Sequence, residues 1–451
     1  MSYLVVLLTA LFRSIITHKY VPQEFGYGII VPLVKSKSDN LNSTDNYRPI
    51  TLISVISKLF EKVILYKCND ILQTDDCQFG FKRGVGCQTA VFAMRSTIDY
   101  FIHRGSTIYT AALDLRKAYD SVNHYRLFTR LIKVGVPKWI IDVLLDWYNK
   151  LFVSIRWNNI FSNYFKVGSG VRQGSVLSPA LFNVFVNGFI GACRETNAGC
   201  CINQVFVGCI MYADDMLLLS ASINGLQVLL DCCSVFGTTS GLKFNCDKSY
   251  CIVFGPMCKR ILPVMMLCGV PIQWTDTIKY LGISFIAGKT LLCDIDGIVR
   301  KFYTASNSIF GCTGNLNELL KLHLQQVYVL PVLQYCMSAI RLTRKQENTL
   351  NVCWNNVYRK IFKFNKWESV SIFTCGLGYL NYHYMYKLLK IIFFKSLCRL
   401  VENDVIQRLF GVFCKGEEFL AIINEVGCSV HDSVGRIRQE VCSLFSSTCL
   451  L

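Results

Sequence analysis

Not one Cys-x-x-Cys pair occurs among the 23 cysteines of this chain. Without that spacing the usual signature of a structural zinc site is missing. Disulfide frameworks belong to short secreted chains, whereas here cysteines such as Cys193, Cys209, Cys268 and Cys336 are scattered through apolar segments. They are expected to be small buried hydrophobes in a reducing, intracellular compartment. Cys428 and His431, with Cys442 and Cys449 downstream, make at most an irregular metal site. Acidic residues are also scarce: 30 Asp and Glu stand against 47 Lys and Arg, a net charge of +17. That imbalance implies a polyanionic partner, bound in a salt-dependent way through its phosphates. A clean apolar run of membrane length is lacking too. The mean hydropathy of +0.36 is high, but the uncharged run 174–193 carries Ser178, Pro179, Asn183 and Asn187 and reads as a turn followed by a core helix. No membrane partner is expected. The apolar opening 1–12 has no basic segment before it, so no cleaved signal is expected either. Neither repeats nor low-complexity linkers divide the 451 residues, a length sufficient for two or three subdomains.

What is present centres on residues 205–219, an apolar run interrupted by two adjacent carboxylates, Asp214 and Asp215. The β-branched and aromatic residues before them and the leucines after them predict two buried strands meeting at a tight turn. Burial and like charge both oppose ionisation of such a pair, so a cation is expected to neutralise it. The competing reading is a solvated hairpin tip, where Asp is common. A third carboxylate, Asp114, ends the short apolar strand predicted at 106–114. If the strands share one sheet, the three acids form a clamp for Mg²⁺, with Mn²⁺ as an alternative. Two such ions about 3.5–4 Å apart serve in-line phosphoryl transfer.

The Tyr212-Ala213-Asp214-Asp215 turn, the segment Leu113-Asp114-Leu115-Arg116-Lys117-Ala118-Tyr119-Asp120 and the loop Gly170-Val171-Arg172-Gln173-Gly174-Ser175-Val176-Leu177-Ser178-Pro179 resemble the palm motifs of reverse transcriptases. With Asn46-Tyr47-Arg48-Pro49-Ile50, Lys58-Leu59-Phe60-Glu61 and Gln78-Phe79-Gly80-Phe81, the likeness is to the non-LTR (LINE-type) retrotransposon polymerases. It runs in order from roughly residue 5 to residue 380. The resemblance implies an α+β right-hand fold whose antiparallel palm sheet is backed by helices. Fingers are expected at 1–104, palm at 105–124 and 166–288, a helical fingers/palm insertion at 125–165, thumb at 289–370 and a helical C-terminal extension at 371–451.

The same likeness assigns roles. Asp114, Asp214 and Asp215 would hold the two ions, with the Leu115 carbonyl beside them. Lys35 and Arg48 would reach the incoming triphosphate, Tyr119 would exclude a ribose 2′-OH, and Arg172, Gln173 and Gly174 would approach the nucleotide and template. Lys248 would protonate pyrophosphate. Phe79, Gly80, Phe81, Lys82 and Arg83, aromatics interleaved with cations, suit a template strand, and Tyr280, Leu281 and Gly282 resemble the hairpin that grips the primer end. The implied activity is RNA-directed DNA synthesis from a DNA 3′-OH on an RNA template with deoxynucleoside triphosphates, with a nuclear setting expected from the family. Because residue 1 falls inside the family's pattern, the chain is expected to be a truncated copy. The alternatives are an inactive relic that only binds nucleic acid and a group II intron-type polymerase. Elsewhere periodicity predicts helices at 4–16, 50–66, 137–151 and 225–236, and a helical pattern from 291 onward.

Overall fold

The β-branched run Tyr27–Val34 forms β1, which pairs antiparallel with β2 (Tyr47–Ile53). The helix expected at 50–66 therefore begins later, at Val55, and runs to Cys68. Its first residues belong instead to β2, where the neighbouring strand supplies hydrogen bonds that local periodicity does not register. The computed structural model describes residues 3–36 and 39–450. Residues 37 and 38, in the polar loop after β1, lie outside the described residues.

β3 (Ile108–Leu113) is buried along nearly its whole length and becomes the middle of a second sheet. Residues 125–165, expected to be a helical insertion, hold two helices (His124–Lys133, Lys138–Asn149) and then strands. Of these, β4 (Phe152–Trp157) lies parallel to β1, and β5 (Ile160–Phe161) and β6 (Phe165–Lys166) pair with β4. A small ribbon of β7 (Cys201–Ile202) and β8 (Val205–Phe206) precedes β9 (Cys209–Tyr212) and β10 (Asp215–Ser220). With β11 (Tyr250–Phe254), β12 (Met265–Leu267) and β13 (Val270–Trp274), these complete a six-stranded sheet in the order β12-β13-β11-β3-β10-β9. The sheet is antiparallel except between β11 and β13. β14 (Thr277–Tyr280) and β15 (Ile283–Ile286) form a hairpin, and β16 (Leu292–Asp294) adds to it, so this sheet continues past the boundary expected at residue 288.

Helices Cys87–Ile102, Ser178–Glu195 and Ile223–Ser240 cover the six-stranded sheet with largely buried faces. The last of these shows why the chain turns where it does. Ser222 accepts a hydrogen bond from the Gly225 N–H at its start, and Gly241, at φ +78°, closes it. The run 174–193, read as a turn and a core helix, forms a loop and then the Ser178–Glu195 helix. Among the described residues no helix is long and apolar enough to cross a membrane. Cys193, Cys209 and Cys336 are buried as expected; Cys268 instead sits exposed at the β12–β13 turn with φ +51°.

Beyond residue 295 the chain is helical. The stretch from 380 onward, expected to be helical and without a functional motif, is built into the molecule. Helices Tyr382–Cys398 and Asp404–Phe413 pack on Cys87–Ile102 through Phe92, Phe393, Phe394, Phe410 and Phe413. Asn403 and Asp404 also hydrogen-bond Asp76, at 3.1 and 2.9 Å.

Candidate active site

β9 and β10 pair with Tyr212 opposite Asp215, which leaves Ala213 and Asp214 as the turn. Ala213 has φ +57°, a left-handed conformation that costs an L-residue roughly 1–2 kcal/mol. A second segment holds it there. Phe79 N–H donates to the Met211 carbonyl and Met211 N–H to the Cys77 carbonyl, both at 2.8 Å, so residues 77–79 run beside β9. The buried Gln78 then accepts from the N–H groups of Ala213 and Gly80 through Oε1, each at 2.9 Å. Gly80 is required by space: a Cβ there would stand 2.4 Å from the Ala213 nitrogen. Its carbonyl accepts from Asn183 Nδ2 at 2.6 Å.

Part of the template assignment is thereby revised. The Phe79 ring is fully enclosed in the core and Gly80 is packed against the turn, because both support the Asp214-Asp215 pair from behind. Lys82 donates to the Thr74 and Asp75 carbonyls, while Phe81 and Arg83 remain exposed.

Asp114 follows β3 directly and meets the turn because β3 and β10 are neighbours, with Leu113 opposite Met216. Asn245 donates to its Oδ2 at 3.0 Å and, through its backbone N–H, to its carbonyl at 2.8 Å. The Asp114 N–H donates to Ser249 Oγ at 3.2 Å. The carboxylates interact electrostatically. Lost hydration, then Asp214 and Asp114, push Asp215 up to about 6, although it opens to the cleft. Lost hydration and Asp114 likewise raise Asp214, and the Arg48 guanidinium opposes both shifts. Among the described residues no three His, Cys, Asp or Glu side chains form a ready-made metal cage. An unneutralised cluster of hard oxygens still suits Mg²⁺, which commonly takes one or two carboxylates and completes its shell with water and substrate phosphate.

Of the other expected residues, Tyr119 and Arg48 interact electrostatically with this cluster. The Tyr119 ring stacks on Phe182 at 4.6 Å and 13°, and its buried hydroxyl has no hydrogen-bond partner among the described residues. Burial and then Asp214 raise its ionisation well above the ordinary phenol range. Arg48 is exposed at β2; Lys35, at the end of β1, donates to the Asp45 carbonyl at 2.8 Å. Leu115 is buried and bridges to Phe244. Lys248 lies exposed in a short 3₁₀ turn, Cys246–Lys248, and no hydrogen bond joins it to the carboxylates among the described residues.

The loop 170–177 departs from expectation. Arg172 points away from the cleft, into a buried pair with Glu61 at 3.4 Å and a bond to the Phe25 carbonyl at 3.3 Å. An unpaired guanidinium is costly to bury, and Glu61 is the acid that accompanies it. Gly174, at φ +121°, approaches β2 rather than a ligand: a Cβ would lie 2.4 Å from the Thr51 carbonyl oxygen. Gln173 accepts from Thr51 N–H at 2.6 Å and reaches Asp120 at 3.4 Å. In the β14–β15 hairpin Tyr280 is buried with Asp215 nearby and its hydroxyl unpartnered among the described residues, while Leu281 and Gly282, at φ +45° and +83°, make the turn.

Residues 35–285, more than half of the chain, match the family described as reverse transcriptase (RNA-dependent DNA polymerase). The chain belongs to the reverse transcriptase family. It is 28% identical over 257 residues to the Retrovirus-related Pol polyprotein from type-2 retrotransposable element R2DM of Drosophila melanogaster, covering 55% of this chain and 24% of that one. To the RNA-directed DNA polymerase from mobile element jockey of the same organism it is 24% identical over 373 residues, covering 78% and 39%. These relatives agree with the likeness to retrotransposon polymerases that the motifs carry. The chain thus spans less than half the length of either of these relatives. A telomerase from Candida albicans in complex with a telomeric RNA fragment is similar at TM-score 0.46 and 12% identity, over 97% of this chain and 66% of that one.

Within this reverse transcriptase domain, several supporting residues escaped the sequence reading. Gln78 and Glu61 were visible inside motifs but carried no assigned role. Glu61 had one signal, since it lies four residues after Ser57 on a helix face that also buries Phe60 and Ile64. Asn245 and Asn183 had none, because their partners lie more than 100 positions away in the chain.

Proposed function

We propose that this chain is an RNA-directed DNA polymerase, extending a DNA 3′-OH along an RNA template with deoxynucleoside triphosphates. The observation that carries this reading is the approach of Asp114, at the end of β3, to the Asp214-Asp215 turn, close enough to raise both aspartates, with the Arg48 guanidinium opposing, inside the family match. Divalent ions, Mg²⁺ or Mn²⁺, when bound by these carboxylates, supply the positive charge that in-line phosphoryl transfer needs at the attacking and leaving oxygens. Asn245 fixes the direction of the Asp114 carboxylate, and Gln78 fixes the turn that presents Asp214 and Asp215. Arg48 and Lys35 supply cations for the triphosphate. The Tyr119 ring, braced by Phe182, is a flat wall against a 2′-OH. Phe81, Lys82, Arg83 and the hairpin at Tyr280, Leu281 and Gly282 serve template and primer, and Lys248 is the proton donor to pyrophosphate. Phosphate neutralisation by the chain's excess of cations supports nucleic-acid binding.

The test is primer extension on an oligonucleotide-primed RNA template with Mg²⁺ and all four deoxynucleotides, run beside Asp214→Asn. Template-dependent extension by the parent alone is expected, with RNA binding kept by the variant. Extension by both proteins removes the carboxylate site from the reaction; extension by neither, from folded protein, leaves a chain that only binds nucleic acid.

A further inference from the structure

Two clefts open on either side of the last turns of helix Cys87–Ile102. One, of about 450 Å³, is lined by His103, Arg341 and Arg344. The other, of about 620 Å³, is lined by Arg104, Arg408 and Lys415, with Tyr100 and Asp404 beside them. His103 and Arg104 are consecutive, so the clefts meet at the helix end and their cations form one belt. All six basic side chains are exposed, and among the described residues none is engaged by a carboxylate. Arg95 and Asp99, which also line the first cleft, form a 3.2 Å ion pair, and Arg95 pairs with Glu418 as well. The Arg104 guanidinium lies 3.6 Å above the Tyr100 ring, which gives the belt a planar stacking element next to its charge.

The belt is remote from the polymerising site. The chain turns from the helix end, through Ser106 N–H donating to the Phe101 carbonyl at 3.0 Å, straight into β3. β3 then runs its whole length before reaching Asp114, a separation of about 20 Å at roughly 3.3 Å per residue.

We propose that this belt holds a phosphodiester strand of nucleic acid outside the polymerising cleft. Unpaired cations on either side of one ridge neutralise successive phosphates, and a guanidinium stacked on an aromatic ring offers a sequence-tolerant platform for an unstacked base. The inference goes beyond the polymerase reading and rests on it only for one control.

The experiment measures binding of a long labelled single-stranded RNA, and in a parallel arm DNA of the same sequence, by fluorescence anisotropy across a salt series without nucleotide or divalent cation. The parent is compared with the combined variant Arg104→Gln, Arg408→Gln, Lys415→Gln. Affinity should fall about tenfold or more, and the slope of log affinity against log salt should lose about 2, at about 0.7 per phosphate contact. Loss in both arms assigns the belt to the shared backbone; loss for RNA alone adds a 2′-OH contact. Unchanged affinity and slope in both arms overturn the proposal. Extension of a short primer–template should be untouched by the variant. If the parent does not extend primers at all, thermal melting replaces that control, and the binding comparison still decides.

Discussion

Asp215 holds most of the tension in the candidate site. Its carboxyl is pushed up to about 6 by lost hydration and by Asp214 and Asp114, whereas an unfolded Asp ionises near 4. The folded state therefore keeps its proton over a window where the unfolded state has released it. Stability falls as pH rises from about 4 to about 6, and the full penalty stands above that window. Asp215→Asn removes the charge and eases the repulsion on Asp214. In chelator, thermal melts should show the variant more stable than the parent by a few degrees at pH 7 to 8, with the gain fading as pH falls toward 4. Mg²⁺ should then raise the parent's Tm more than the variant's, since only the parent offers the complete donor set. A gain that ignores pH would mean that the substitution acts through packing rather than charge.

At the scale of elements, the support for that site is a strand-like segment, residues 77–80, laid along β9. Gly80 is its tightest point, because a Cβ would meet the Ala213 backbone nitrogen at 2.4 Å. Backbone cannot yield as a side-chain tip can. Gly80→Ala should force the segment off the turn, weaken the Gln78 bonds to Ala213 and Gly80, and lower stability by about 1–3 kcal/mol. Denaturant titration measures that loss, and primer extension should fall with it while Asp214 and Asp215 stay in place. Unchanged stability would show that the turn stands without this brace. The turn itself was legible in the sequence, since an apolar run broken by paired acids has a local pattern. Its brace was not: Phe79 and Gly80 looked like nucleic-acid contacts, aromatic and glycine beside cations, and only long-range pairing with Met211 turns them inward. Arg172 misled in the same way. A basic residue between glycines suggests a ligand, but the partner that buries it, Glu61, sits 111 positions earlier. Helix limits at 4–16, 137–151 and 225–236 were read to within a few residues, because amphipathic periodicity is local. The strand at 47–53 was lost because its pairing to β1 is not.

For the whole molecule, the C-terminal helices belong to the same body as the six-stranded sheet. Arg95 on Cys87–Ile102, Lys390 on Tyr382–Cys398 and Glu418 on Glu417–Val426 meet in one buried ionic cluster, with both cations contacting Glu418. The site balances as a single unit. Arg95 and Lys390 draw the Glu418 carboxyl down to about 2 against its burial, while burial draws Lys390 down to about 8. Glu418 therefore contributes stability that is present above about pH 4.5 and is lost as pH falls toward 2. Glu418→Gln leaves the buried Lys390 without an anion and Arg95 with only the partly exposed Asp99, and should cost about 3–5 kcal/mol at pH 7. Part of that loss should return as pH rises, because without Glu418 the buried Lys390 is drawn below the value of about 8 that it has in the parent and sheds its proton more readily. Replacing all three residues by Met should recover most of the stability, since apolar packing of similar volume removes the desolvation cost together with the attraction. Urea midpoints at pH 7 and pH 9 for the parent, the single variant and the triple variant measure these differences. A Glu418→Gln protein as stable as the parent would mean that residues 382–450 are held by their aromatic packing alone, through Phe92, Phe394, Phe410 and Phe413, and that the ionic cluster only sets which way those helices dock.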